Sequence, residues 1–350
     1  MANNRIFYAC QAVAISPYPD NNNFVEVHGV QSVGVNTTFN LEQAFELGQI
    51  SIYENIEGLP DVELTIEKVL DGYPLVYRLA TSDATEDTLV NRTKQRCCAA
   101  LAIFADDQDA VTGTAPVEIY LSGLYINNVS YTLPVDGNCT ESVTLVGNHK
   151  VWNTPATKFT STLASEFGTD TPKNLQAGTI AGGIQRRENV DMSSSTLPKS
   201  IYGVTQSTSA GNNWNSATSS PKAHIQNISI SADMGREDIL ELGRKAPYYR
   251  APNFPIEVTC EFEVIAVSGD FVSAYEEGKP AYVGTVDEGN NTGEETIEVV
   301  LQDGTTFDLG SKNRLSSVTY GGGDAGGGNV SMTYSYSTFN DLEILGPHGT

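Results

Sequence analysis

Residues 6 to 60 and residues 201 to 255 align without a gap at one fixed offset, 201 − 6 = 195, and a chain that writes one pattern twice is constrained to fold it twice. Nine of the 55 paired positions are identical, among them Gln31 with Gln226, Leu47 and Gly48 with Leu242 and Gly243, Tyr53 with Tyr248, and Pro60 with Pro255. The chemical match runs deeper than the identities. Val30, Val33 and Val35 meet Ile225, Ile228 and Ile230, while Phe45 and Leu59 meet Leu240 and Phe254, so hydrophobic class is kept where a core needs it. The length of 350 residues accommodates two domains that each bury a core. The duplication therefore predicts two equivalent faces, in domains at 1–152 and 200–350.

Segments 5 to 15 and 24 to 35 are strand-like and joined by SPYPDNNN, which predicts a long hairpin; the second copy places its counterpart at 200 to 210 and 223 to 232, across GNNWNSATSSPK. A short amphipathic segment follows each, NLEQAFELG at 40 to 48 and GREDILELG at 235 to 243. Asn40 as N-cap, an acidic first turn and Gly48 or Gly243 as a left-handed stop predict two short helices, with Leu41, Ala44 and Phe45 on one face covering a sheet. The segment 85 to 96, TEDTLVNRTKQR, reads as a further helix confined to the first copy, with Arg92, Lys94 and Arg96 as a solvated basic patch or a contact for an acidic neighbouring subunit.

The clearest alternation lies after the second Pro. Ile256, Val258, Cys260, Phe262 and Val264 point one way, Glu257, Thr259, Glu261 and Glu263 the other. The first copy sets Val62, Leu64 and Ile66 against Glu63, Thr65 and Glu67, at an offset read as 257 − 63 = 194. One face is buried and one is wet and acidic. Each half then closes with a hairpin, 124–133 with 142–152 and 314–320 with 329–339. The glycine run at 321–328 lacks the Lys, the Ser/Thr and the following helix of a phosphate-binding loop, and reads as a hairpin tip. Residues 153–199, rich in Thr, Ser, Gly and Asn, read as a linker or surface insertion.

Charge and side-chain chemistry narrow the function classes. With 43 acidic against 20 basic residues the net charge is −23, which opposes binding to phosphate backbones and anionic lipid surfaces. The five cysteines show no CxxC pair and read as small core residues in a reducing compartment. The apolar start is broken by Gln11 and reads as a first strand rather than a leader, and no apolar run is long enough to span a bilayer, so a soluble protein without a membrane partner is expected. The four histidines carry no metal-ligand spacing, and His28 and His224 read as strand-end residues. Glu63 and Glu67, four residues apart on one strand, stand roughly 13 Å apart, too far for paired-carboxylate hydrolysis. No enzyme, cofactor or metal is expected.

Long hairpin, short segment ending in LG, proline-preceded alternating strand, further hairpins: in this order, and over residues 24 to 72 in particular, the chain resembles the tail tube proteins of tailed bacteriophages. The resemblance implies a mainly β protein, here two tandem tail-tube-like β-sandwich domains each with a short flanking helix, whose strands join those of neighbouring subunits in a barrel around a channel. Family members commonly carry one such domain and form sixfold rings. Two domains per chain then give a homotrimeric, pseudo-hexameric ring. Under this reading the rings stack into the tube of a virion tail, assembled in the host cytoplasm, with other tail proteins at the tube ends. Glu63, Glu67, Glu257, Glu261 and Glu263 would line the lumen and let double-stranded DNA pass during ejection without sticking. The rival readings are a glycan-binding β-sandwich decoration and a baseplate or neck ring component, since a shared fold does not fix a function.

Overall fold

The computed structural model describes residues 5–19, 24–48, 50–105, 110, 113–161, 183–192, 194–198, 201, 224–266, 272–273, 281–282, 294–321 and 328–347. In chain order the strands of the first half are β1 (Gln11–Pro17), β2 (Val25–Glu26), β3 (Val30–Ala44), β4 (Glu54–Val69), β5 (Cys97–Ile103), β6 (Gly113–Thr114), β7 (Val117–Pro134), β8 (Thr140–Gly147), β9 (His149–Asn153) and β10 (Thr160–Ser161), with helices α1 (Val76–Ala80) and α2 (Leu89–Arg92) before β5. The second half contributes β11 (His224–Asp233), β12 (Glu237–Ile239), β13 (Tyr249–Ala251), β14 (Glu257–Ile265), β15 (Val272–Ser273), β16 (Ala281–Tyr282), β17 (Glu298–Val300), β18 (Thr306–Asp308), β19 (Arg314–Gly321), β20 (Ser331–Phe339) and β21 (Glu343–Leu345). The protein is mainly β, as its alternating sequence predicts.

One antiparallel sheet organises both halves. Its order is β3-β4-β8-β7-β11-β14-β20-β19, so β7 of the first half bonds directly to β11, the first strand of the second. The 18-residue β7 serves two sheets. Its early part pairs with β5 and β9, its later part with β8 and β11. Gly123, at φ 68°, sits at the bend between them, a conformation other residues adopt at a cost. Strands β2, β1, β5 and β9 complete the smaller sheet, and β17, β18 and β21 form a third. The three share a core in which Leu101 and Ile119, Leu64 and Ile66, and Phe307 and Ile344 are all buried, with Tyr131 of β7 stacked 4.6 Å from the Phe307 ring.

Pairing repeats across the two halves down to its irregularities. Val33 pairs with Ile66 and Val35 with Leu64; Ile228 pairs with Phe262 and Ile230 with Cys260. The offsets are 228 − 33 = 195 in the first strand and 262 − 66 = 196 in the second. Bulges fall at Gln31 in β3 and at its counterpart Gln226 in β11. The closing hairpins match in the same way: Ile126 opposite Leu145 and Val129 opposite Val143 answer to Leu315 opposite Tyr336 and Val318 opposite Tyr334, with a bulge between each pair. A bulge is one extra residue at a defined place, so its recurrence at equivalent positions marks equivalent geometry.

Several sequence expectations give way here. The 194 offset is replaced by 196, because the second copy gains a residue after its proline where a loss was expected. Segments 40–48 and 235–243 are not helices. The first runs on in β3 to Ala44 and turns at Gly48 (φ 96°), and the second is β12 with a turn at Gly243 (φ 83°). The apolar spacing there covers no core: Leu41, Phe45 and Leu47 are exposed, and the glycines that read as helix stops close hairpins. Strand β3 pairs with β4 rather than with β1, which instead pairs with β2 and β5. Of 85–96 only Leu89–Arg92 is helical, and Arg92 is buried against Thr81, Asp87 and the Tyr77 ring, so it leaves the expected basic patch; Lys94 and Arg96 stay exposed, Arg96 with its guanidinium 4.1 Å from the Tyr18 ring. His28 stacks on Tyr73 at 4.2 Å. All five cysteines are free and buried. The counterpart strand at 202–210, the 211–222 connection, residues 162–182 of the linker and the tip at 322–327 lie outside the described residues. No helix among the described residues is long and apolar enough to cross a membrane.

Candidate assembly surfaces

The internal seam between the halves shows what a β7-type edge looks like when covered. Along it Ile230 faces Tyr131 and Ala232 faces Val129, and all four side chains are fully buried. At the two ends of the same sheet the equivalent strands have one strand partner each among the described residues: β3, the counterpart of β11, pairs with β4, and β19, the counterpart of β7, pairs with β20. Tyr320 stands where Tyr131 stands in the first half (320 − 131 = 189) and is 54% exposed, against 0% for Tyr131. The apolar row thus continues to both ends of the sheet, with Val33, Val35, Leu315 and Val318 half-buried against the main core and Tyr320 left bare, and edges of this kind invite another strand.

The opposite face of the sheet is wet. All five sequence-chosen glutamates lie on it, in two groups, Glu63 and Glu67 on β4 and Glu257, Glu261 and Glu263 on β14. Glu67 adjoins Ser32 and Ser142; Glu63 adjoins Asn36 and Val146; Glu261 adjoins Ser229 and Ser335, whose hydroxyl donates to its Oε1 at 3.0 Å; Glu263 adjoins Asn227 and Thr333; Glu257 adjoins Phe339. Three strands, β8, β7 and β11, separate β4 from β14, so the two carboxylate clusters stand roughly 19 Å apart, too distant to share a proton. Between them the face carries Ser130, Ser142, Ser229 and Ser231. The result is a surface of hydroxyls and carboxylates.

Two arms project from this sheet. The first is the outer part of the β3–β4 hairpin, with Gln43 opposite Asn55 and Ala44 opposite Glu54; the second is β12–β13, with Asp238 opposite Arg250 and Ile239 opposite Tyr249. The same bond closes each, Tyr53 N–H to Ala44 O and Tyr248 N–H to Ile239 O, 195 residues apart. Their tips are apolar and bare. Phe45, Leu47, Ile50 and Tyr53 are exposed on the first, Leu240, Leu242 and Tyr248 on the second. Of these, Phe45 and its counterpart Leu240 are expected from the sequence to face a sheet, and the signal that marks them as surface is the glutamates beside them, Glu46 and Glu241.

The base of the second arm is fastened to the first half by two arginines that sequence reasoning did not single out. Arg236 donates to the carbonyls of Ile126 (2.6 Å), Thr93 (2.7 Å) and Arg250 (3.0 Å) and lies 4.7 Å from the Tyr125 ring. Burial pulls its guanidinium down to about 10, the nearby Tyr249 and Tyr125 offsetting part of the fall, so it stays charged at neutral pH. Arg250 bridges Asp61 of the first half (2.7 Å) and Asp238 of its own arm (2.8 Å). Both line a cleft of about 320 Å³ with Asn36, Glu63 and Asn127. The counterparts in the first arm are Leu41 for Arg236 and Asn55 for Arg250, and Arg314 replaces Tyr125 on β19. Among the described residues no cluster of three or more His, Cys, Asp or Glu is arranged to hold a metal ion.

No known family model matches the chain, and no curated protein matches its sequence. Among solved structures, a chain of the anti-feeding prophage cap, which terminates the tube, aligns at 13% identity over 44% of this chain and 94% of that one, with a TM-score of 0.33. A chain of the sheath–tube complex of an extracellular contractile injection system in its extended state aligns at 10% identity over 43% and 93%, with a TM-score of 0.31. Hcp1 from Flavobacterium johnsoniae aligns at 11% identity over 41% and 99%, with a TM-score of 0.21.

Proposed function

We propose that the protein is a structural subunit of a phage tail tube, three chains closing into a pseudo-hexameric ring and the rings stacking into the tube. One observation carries the reading: a seam built inside the chain from β7 and β11 recurs, unfilled, as the free edges of β19 and β3. A sheet that ends on equivalents of its own internal seam is completed by further copies of itself, and closure removes every edge. Three chains of eight strands each would give an inner wall of 24.

The wet face then lines the channel. Its glutamates, Glu63, Glu67, Glu257, Glu261 and Glu263, stand among hydroxyls, and a negative wall repels the DNA backbone so that the duplex slides without adhering. The bare apolar tips of the two arms support stacking, since an exposed cluster of this kind on a soluble protein marks a contact surface. Domain limits of 1–152 and 200–350 belong to the same proposal; within 153–199, Asn153 and Thr160–Ser161 pair with β7 and β6 of the first half, and 190–196 join the β17 side through the Val190–Leu301 and Thr196–Glu298 bridges.

Negative-stain microscopy of the purified protein tests the reading. Filaments roughly 100 Å wide are expected for stacked rings of six domains of ordinary size around a DNA-sized channel. Single rings that never stack would point to a baseplate or neck component, and a persistent monomer would contradict assembly altogether. Replacing all five glutamates by Lys is expected to leave assembly intact and to slow DNA delivery from particles carrying the variant; unchanged delivery would remove the acidic-channel role.

A further inference from the structure

Resting on that ring reading, we infer that the open edges of two copies meet in the register of the internal seam, with β19 of one copy antiparallel to β3 of the next, at a seam that lacks the arginine fastening of the internal one. The register follows by transfer. Along the internal seam Ile230 faces Tyr131, Ser231 faces Ser130 and Ala232 faces Val129. Subtracting 195 from the β11 members and adding 189 to the β7 members sets Val35 opposite Tyr320, Asn36 opposite Thr319 and Thr37 opposite Val318 of the neighbouring copy. The transfer keeps chemistry as well as position. Val35, Thr37, Val318 and Tyr320 fall on the apolar side, and Asn36 and Thr319 on the wet side, as their counterparts do. A slip of one residue would turn the whole apolar row of one strand toward water, which fixes the register where one face is buried.

The bulges at Gln31 and Gln226, and at Ser316 and Asn127, shape the paired strands alike on both sides of each seam, so the open edges already carry the curvature that the internal pair requires. The occupant argued for is therefore a second copy of this chain. What differs is the arm. The second arm reaches across the internal seam and is held there by Arg236 and Arg250. The first arm would cross the open seam with Leu41 and Asn55 in those places, over Arg314 and Glu257 of the neighbour. A ring so built has three fastened seams and three unfastened ones, and it opens at the latter.

Cysteine pairs read the register. In the full chain, Val35→Cys with Tyr320→Cys and, separately, Asn36→Cys with Thr319→Cys are expected to give closed, disulfide-linked trimers under mild oxidation, at least one of the two pairs in high yield because adjacent pairs alternate in spacing. Val35→Cys with Val318→Cys, two residues out of register, is expected to stay unlinked, as are the single variants; the five native cysteines are buried. Rings that form but link only through the slipped pair would overturn the register and leave the ring standing. Dimers from Val35→Cys alone would mean that β3 pairs with itself, which also overturns it. A chain that stays monomeric before oxidation would sink both readings.

Discussion

The two ends of the long sheet and its middle are made of the same parts in different states of completion. At the middle, Tyr131 is sealed by Ile230 and its hydroxyl donates to the buried Glu141 at 2.8 Å; at the end, Tyr320 holds the equivalent place opposite Met332 instead of a carboxylate and is 54% exposed. At the middle, Arg236 satisfies three carbonyls; at the end, its place is held by Leu41, 62% exposed. On the proposed assembly, one molecule carries both a closed seam and the two edges of an open one. The internal seam is tied by charge-assisted hydrogen bonds, while the proposed outer one has Leu41 and Asn55 where those arginines stand.

The sharpest way to break this comparison is to make one substitution on both sides of it. Tyr131→Asp would bury a carboxylate beside Glu141 and is expected to cost more than about 4 kcal/mol, leaving little soluble folded protein in denaturant titrations. Tyr320→Asp is expected to leave monomer stability within about 1 kcal/mol and to abolish assembly in sedimentation. Equal losses of monomer stability at the two sites would mean that Tyr320 is already covered within its own chain.

Next in size is the fastening. Arg236→Ala strands three carbonyls at the internal seam and is expected to destabilise the chain by about 2–4 kcal/mol in thermal or urea unfolding, whereas Leu41→Ala is expected to change monomer stability by less than about 0.5 kcal/mol and to weaken assembly alone. Conversely, Asn55→Arg supplies the missing guanidinium opposite Glu257 of the neighbour. It is expected to tighten ring association by about 0.5–1 kcal/mol, an effect that fades with added salt and that sedimentation at two ionic strengths would reveal.

Much of this architecture was legible in the sequence because alternation and duplication act through local spacing. The strict Val258-Cys260-Phe262-Val264 row against Glu257, Glu261 and Glu263 announced a half-buried strand, and the structure keeps that division. The arms were misread for a physical reason. NLEQAFELG carries helical spacing and caps, but a nine-residue helix needs a surface to bury its face, and here none is offered, so β3 simply continues its ladder with β4 past the body of the sheet. The arginines at 236 and 250 gave no local signal. Their roles depend on carbonyls and carboxylates more than a hundred residues away, Ile126, Thr93 and Asp61, which no pattern within a segment can display.

The smallest expected effect serves as a control away from both seams. Glu118 is pushed up by burial, but hydrogen bonds from the Thr157, Phe159 and Lys158 backbone and the Asn153 amide outweigh that and hold it below its ordinary value of 4.5. A carboxylate lowered on folding stabilises above its unfolded value and loses that contribution as pH falls through the folded one. Acidification below about 4.5 is therefore expected to loosen 154–159, read as faster amide exchange there, and Glu118→Gln should flatten the dependence. If acid opened the ring before it loosened this loop, the seams rather than the small sheet would hold the sensitive carboxylates.

Cross-sections of the assembled protein by electron cryomicroscopy test the equivalence of the seams most directly. The account expects a ring of three chains whose inner wall runs through 24 strands, alternating a β7–β11 seam with a β19–β3 seam of the same register. A ring of another chain number, or a wall in which β3 and β19 of adjacent copies do not touch, would contradict it.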